Sequence, residues 1–265
     1  MKKFCFTTLL FLNLVYTVDN YGADEFGDFD VHYQMGNEYN DRGLVDLAIT
    51  EYKKAIELNR YSSKAYNNLG VAYSKQKMFD EEIAAYKIAI ELDPQYKDAY
   101  FNLGIAYGAK GMIDEEIMTY QKVITLDPKN FEAFYNLGFT FREKEMYDES
   151  IKAYKKAIEI DPQSIDTHFN LGVSYGKKGL LDDEIEQYKK VLELNPRSAE
   201  AHFNLGVAYG EKKMYENQIN EYKKAIVINP RYAKAHKNLE SIYRGKGMKE
   251  DADRELSMYN ELVKH

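Results

Sequence analysis

Three histidines stand 34 residues apart, at His168, His202 and His236, in a chain with recurring acidic clusters, DEE at 114–116 and DDE at 182–184. Histidine beside carboxylates is the raw material of a divalent-metal site or of general acid–base catalysis. Asparagine recurs on the same comb, at Asn68, Asn102, Asn136, Asn170, Asn204 and Asn238, the first five followed by Leu-Gly. A primary amide both donates and accepts hydrogen bonds, so a row of them suits recognition of a peptide backbone. Which of these chemistries is available depends on the elements that carry the residues.

All five prolines share the 34-residue period: Pro94, Pro128, Pro162, Pro196 and Pro230. Numbering each unit from 1 to 34, the units run 29–62, 63–96, 97–130, 131–164, 165–198, 199–232 and 233–265. Position 8 is glycine in the first six, from Gly36 to Gly206, and position 11 is aromatic in all seven. Position 24 is tyrosine from Tyr52 to Tyr222 and Leu256 in the last. Positions 4, 7, 8 and 11, such as Tyr100, Leu103, Gly104 and Tyr107, follow the spacing of one helical face. Positions 17, 21, 24 and 28, such as Ile113, Ile117, Tyr120 and Ile124, mark the inner face of a second helix. Gly43, Gly111, Gly179 and Gly247 at position 15 suit the left-handed turn that ends the first helix. Proline at position 32 closes the second. A weaker 68-residue alternation overlies this, with Lys77, Glu145 and Lys213 at position 15 of the intervening units.

In "YFNLGIAYG" followed by "DEEIMTYQKVITLDP", the chain resembles the tetratricopeptide repeat (TPR) family, in seven copies covering almost everything after residue 28. The resemblance implies an all-α fold, an α-solenoid of antiparallel helix pairs forming a right-handed superhelix. Two departures stand out. Tyrosine, phenylalanine or histidine replaces the family's tryptophan at position 4, and position 20 holds Glu82, Glu116, Glu184 and Gln218 where alanine is usual. The resemblance implies that position 20 packs on the glycine at position 8. Either the pairs are spaced more loosely, or the glutamate stem crosses the glycine with its head in water. In the last unit Asp253, Asn260 and Glu240 replace isoleucine at 21, an apolar residue at 28 and glycine at 8, as expected of a C-terminal capping helix.

The repeat removes most of the catalytic readings. His168, His202 and His236 occupy position 4 of successive units, so packed helices hold them about 8–10 Å or more apart, too far to share an ion. The acidic clusters open second helices, where negative charge favours the helix dipole. The lysine pairs at 155–156, 189–190 and 223–224 fall on an outer, solvated face. Neither a metal, a cofactor nor an enzymatic activity is expected. The net charge of −7, with no basic cluster, argues against nucleic acid as a partner. Cys5 is the only cysteine, so no intrachain disulfide framework exists.

A second stripe on the first helix carries the binding chemistry. Position 5 holds Tyr33, Phe101, Tyr135, Phe169 and Phe203; position 9 holds Val71, Ile105, Phe139, Val173 and Val207; position 6 holds the asparagines. By resemblance these positions line the concave side of the superhelix. Aromatic and aliphatic groups beside amides suit an extended peptide in that groove, primarily along repeats 2–6. The alternative is that the asparagines only bond between repeats, which would offset a helix-propensity cost of up to about 0.7 kcal/mol each. The family's carboxylate clamp is not matched: Asn37 and Asn68 fit it, but Tyr33, Asp98 and Asn102 do not. Acidic residues at position 2 (Asp30, Asp98, Glu132, Asp166, Glu200) favour a neutral or basic ligand.

The function expected is an exported scaffold for protein–protein interaction. Two alternatives are an accessory subunit of envelope-assembly or glycan-processing machinery, and self-association. Residues 1–23 read as a secretory signal, with Lys2 and Lys3 ahead of an apolar run from Phe4 to Val18, and 24–28 as a short acidic linker. Export places the chain in the periplasm or outside the cell. An uncleaved segment would leave it membrane-anchored, and a buried segment is a third reading.

Overall fold

The computed structural model describes residues 25–264. Residues 1–23, expected to be a secretory signal, lie outside them. The described residues form fourteen α-helices packed in consecutive antiparallel pairs, a TPR-like solenoid. They divide into two compact blocks. The block ending at Pro128 contains α1 (Glu25–Asp41), α2 (Val45–Leu58), α3 (Ser63–Lys75), α4 (Phe79–Leu92), α5 (Lys97–Ala109) and α6 (Ile113–Leu126). The block beginning at Lys129 contains α7 (Phe131–Glu143), α8 (Tyr147–Ile160), α9 (Ile165–Lys178), α10 (Leu181–Leu194), α11 (Ala199–Glu211), α12 (Tyr215–Ile228), α13 (Ala233–Gly245) and α14 (Lys249–Leu262). Helix α1 starts at Glu25, so most of the segment expected as a linker is the first turn of a helix.

Each helix end follows from its local chemistry. Ser62, Asn130, Ser164 and Ser198 cap first helices by accepting from the backbone N–H three residues on. Position 15 is left-handed with or without glycine: φ is +73° at Gly43 and +78° at Gly179, but also +58° at Lys77 and +59° at Glu145 and Lys213. The position-16 N–H then reaches back to the carbonyl at position 11, as in Met78 to Tyr73 (3.1 Å) and Leu180 to Tyr175 (2.9 Å).

Within a pair, the tyrosine at position 24 lies on the glycine at position 8. A Cβ on Gly70 would come 2.5 Å from the Tyr86 ring, and one on Gly172 would come 2.9 Å from Tyr188. The tyrosine rings from Tyr52 to Tyr222 are almost fully buried. Between pairs, positions 21 and 24 meet the next first helix. Ile83 and Tyr86 pack with Leu103, Ala106 and Tyr107, and Ile185 and Tyr188 with Leu205, Ala208 and Tyr209. No repeat therefore completes a core alone, which couples neighbours along each block.

The outer surface adds bonds in the same register. Position 14 reaches position 18 of the preceding repeat in Gln76–Asp46, Lys110–Asp80, Lys178–Asp148, Lys212–Asp182 and Lys246–Glu216. These pairs are exposed, so each contributes at most about 1 kcal/mol. The lysines expected to be simply solvated are partly engaged. Lys155 and Lys223 lie 5.6 and 5.8 Å from the ring centroids of Tyr175 and Tyr243 in the next repeat.

Position 20 corrects the sequence reading. Glu82, Glu116 and Glu184 are buried, with their carboxylates inside the pair rather than in water. The tyrosine at position 24 already covers the glycine at position 8, and position 20 instead faces position 12. A Cβ on Gly108 would lie 2.9 Å from Glu116 Oε1, and one on Gly176 would lie 2.6 Å from Glu184 Oε1. Gln218 sits likewise on Gly210. Where position 12 is Arg142, position 20 shrinks to Ser150, whose hydroxyl donates to the Gly138 carbonyl (2.8 Å).

Burial, with the nearby Glu211 charge, pushes the Glu184 carboxyl up from 4.5 to about 7, against the pull of a hydrogen bond from Tyr188. A raised folded-state value means the folded chain holds a proton that the unfolded chain releases. The stability this lends is complete below about pH 4.5 and is lost as pH rises through about 7. Glu184→Gln should therefore match the parent near pH 4.5 and exceed it by roughly 3 kcal/mol at pH 8, measured by urea unfolding at both values.

Candidate functional site

Position 5 is committed to the fold more fully than the sequence indicates. Phe101, Tyr135, Phe169 and Phe203 contact the position-24 tyrosine of their own repeat, with ring centroids 5.8, 5.8, 5.5 and 5.3 Å apart. Tyr33 does the same with Tyr52 at 6.1 Å. The stripe is thus not additional to what the helix pair needs, because a flat tyrosine on a glycine leaves an edge that an aromatic at position 5 closes. Position 9 divides. Val71, Val173 and Val207 are half-buried against the inter-repeat clusters. Ile105 and Phe139 remain 46% and 43% exposed, an apolar surface that internal packing does not consume.

The asparagines at position 6 are half-buried, and several bond to the preceding repeat. Asn68 Nδ2 donates to the Tyr33 hydroxyl (3.0 Å) and to Asn37 Oδ1 (2.8 Å). Asn102 donates to Asn67 Oδ1 (3.1 Å), Asn170 to the Tyr135 hydroxyl (3.0 Å) and Asn238 to the Tyr222 hydroxyl (3.1 Å). Asn136 and Asn204 occupy the same half-buried register. In Asn68, Asn102, Asn170 and Asn238 the amide is a cross-repeat link, with part of its hydrogen-bonding capacity left over for a ligand.

The electrostatics of this face are mixed. Asp30, Asp98, Glu132, Asp166 and Glu200 at position 2 are all exposed and form an acidic margin within each block. Burial, then Asp166, pushes the Tyr135 hydroxyl up, while Arg142 and the bond from Asn170 pull it back. Arg142 at position 12 donates from Nη1 to Asn170 Oδ1 at 2.6 Å.

The histidines belong to the frame. His202 Nε2 lies 3.3 Å from the Pro196 carbonyl of the preceding repeat, and its Nδ1 lies 2.6 Å from Glu221 Oε2. His236 repeats this with Pro230 and Glu255, and His168 with Pro162 and Gln187. His32 pairs with Glu51 in the same register. Sequence reasoning missed these partnerships, although the signal was present. Histidine at position 4 goes with a long polar residue at position 23, whereas Tyr66, Tyr100 and Phe134 go with Ala85, Thr119 and Ala153. Among the described residues, no three histidine, cysteine or carboxylate side chains are placed to share a metal ion. Nor is any described helix long and apolar enough to cross a membrane.

With Tyr135 and Arg142 both held by Asn170, Asn170→Ala should lower stability by about 1–2 kcal/mol in urea unfolding. Leu171→Ile, beside it but outside the amide network, provides a packing control.

Comparisons with known proteins agree with this architecture. The family described as "TPR repeat" matches residues 36–77, 79–111, 140–179 and 181–213, and "Tetratricopeptide repeat" matches 97–130, 119–152 and 199–232. No curated protein matches. Among solved structures, YrrB, described as a TPR protein with an unusual peptide-binding site, is 29% identical, with a TM-score of 0.63 over 69% of this chain and 95% of its own. MamA is 28% identical, with a TM-score of 0.61 over 65% of this chain and 94% of its own. PilF of Pseudomonas aeruginosa, 15% identical with a TM-score of 0.62 over 78% of this chain and 94% of its own, shares the fold. The family is one of interaction scaffolds rather than enzymes. The 34-residue comb, the helix pairs and these matches make the chain a member of the tetratricopeptide repeat family.

Proposed function

We propose that this scaffold holds an extended peptide segment of a partner protein against the faces of its first helices. The observation that carries the reading holds in each block taken by itself: an apolar side chain stays exposed beside half-buried amides, Ile105 in the first and Phe139 in the second. Valine at the same register is drawn into the core in neighbouring repeats, so these larger side chains serve something outside the fold. The peptide-binding site described for YrrB supports the same use of the architecture. The acidic margin at position 2 favours a segment that is neutral or basic on balance. We propose export as well, on the strength of Lys2, Lys3 and the apolar run from Phe4 to Val18. Intact-mass measurement of the protein from its native cells would reject export by cleavage if the chain began at Met1.

Selection of a displayed random dodecapeptide library on the full chain should enrich peptides that bind it. An Ile105→Ser variant should lose at least tenfold in Kd for them with an unchanged Tm, since that side chain is exposed and lies outside the core clusters. Equal binding by the variant, or no enriched peptide, would count against the reading.

A further inference from the structure

Among the described residues, Arg142 is a departure on the first-helix faces that the repeat does not account for. Position 12 is otherwise Asn40, Ser74, Gly108, Gly176 and Gly210, with arginine again only at Arg244 in the last repeat. Arg244 is answered by Glu240 at 2.5 Å and Asp253 at 3.4 Å. Arg142 is held differently. Its guanidinium lies 4.9 Å over the Phe139 ring, one amino group donates to Asn170 Oδ1 at 2.6 Å, and the other reaches Glu143 Oε1 at 3.3 Å. The Arg142 side chain is 16% exposed, while Glu143 is 56% exposed, so that ion pair is a solvated and weak one. These contacts use two of the five N–H donors.

The surroundings point to an acceptor that is not supplied from within. The Tyr154 hydroxyl is buried and has no hydrogen-bond partner, although its counterparts Tyr52 and Tyr222 do. Its environment includes the Arg142 charge, as do those of Tyr135 and Tyr188. Stacking on Phe139 and the bond to Asn170 fix the plane of the guanidinium beforehand, which cuts the ordering cost of binding a planar anion.

Resting on the peptide-binding reading above, we propose that Arg142 takes a carboxylate of the bound peptide, with Phe139 as an apolar ledge and Asn170 as the clamp on the guanidinium. Glu143 on the guanidinium and Asp166 near Tyr135 require that this carboxylate stand among neutral or basic residues. The group is either an acidic side chain or the peptide's C-terminus, both of which present the same two oxygens.

Random dodecapeptides displayed with a free C-terminus, selected on the full chain and on R142Q, test this. Peptides from the parent chain should share a carboxylate at one fixed place, and those from R142Q should not. A selected peptide is then remade with glutamine for its acid, and separately as the C-terminal amide, and measured on the unaltered chain. A loss of at least tenfold in Kd is expected in one of the two, and which one identifies the source. If both bind within twofold of the parent peptide, the proposal is overturned while the peptide-binding reading stands. If the unaltered chain enriches no peptide, both fall. The remade peptides keep the test valid even if R142Q folds poorly.

Discussion

A tyrosine ring lying on a bare glycine Cα is the contact on which the rest of this structure depends. With the position-24 tyrosine on the position-8 glycine, the paired helices approach more closely than any side chain at position 8 would permit. That approach has consequences on every side of the ring. The aromatic at position 5 packs on its edge, the leucine and aromatic of the next first helix cover it, and in two repeats its hydroxyl binds an amide of the face. The same closeness brings position 20 onto position 12, so a buried carboxylate at 20 requires glycine or serine opposite. Where arginine stands at position 12, position 20 is small, as Ser150 and Ala252 are. In the last repeat both partners of the central contact change together, the glycine to Glu240 and the tyrosine to Leu256.

Function occupies what this constraint leaves over. The amides and aromatics of the first-helix faces divide their capacity between linking repeats and meeting a ligand, and in the described residues the linking role is the visible one. A helix with asparagine at one fixed register is explained in part by that cross-repeat bond, which offsets the propensity cost of each substitution for alanine. The residues with capacity to spare are few and specific to this chain. Besides the unspent capacity of the asparagines, they are the exposed Ile105 and Phe139, and the guanidinium of Arg142, which uses two of its five N–H donors. Specificity in such a scaffold resides in the departures from the repeat, because the repeated positions are already committed to packing.

The fold was legible because each helix is written seven times, and the glycine, tyrosine and proline registers fix both helices and the turn between them. Contacts between helices were harder to see. Histidine at position 4 and glutamate at position 23 are 19 residues apart, and the lysine–aspartate bonds between repeats span 30, separations that a helical-face pattern does not display. The stripe at positions 5 and 9 was visible, but its division into committed and exposed residues was not, since that depends on how far each side chain reaches between neighbouring helices. Lys77, Glu145 and Lys213 show that the turn dictates a left-handed residue even where glycine is absent. The closeness of each pair holds the chain there despite a cost of about 1–2 kcal/mol.

The most direct measurement is a double-mutant cycle on Gly172 and Tyr188 by urea unfolding. If the ring on the glycine sets the helix spacing, Gly172→Ala costs at least about 2 kcal/mol in the parent chain, through overpacking. In a Tyr188→Leu background the same change becomes neutral or stabilising, as alanine's helix propensity is regained. Equal effects of Gly172→Ala in the two backgrounds would contradict the account, since the two residues would then act independently.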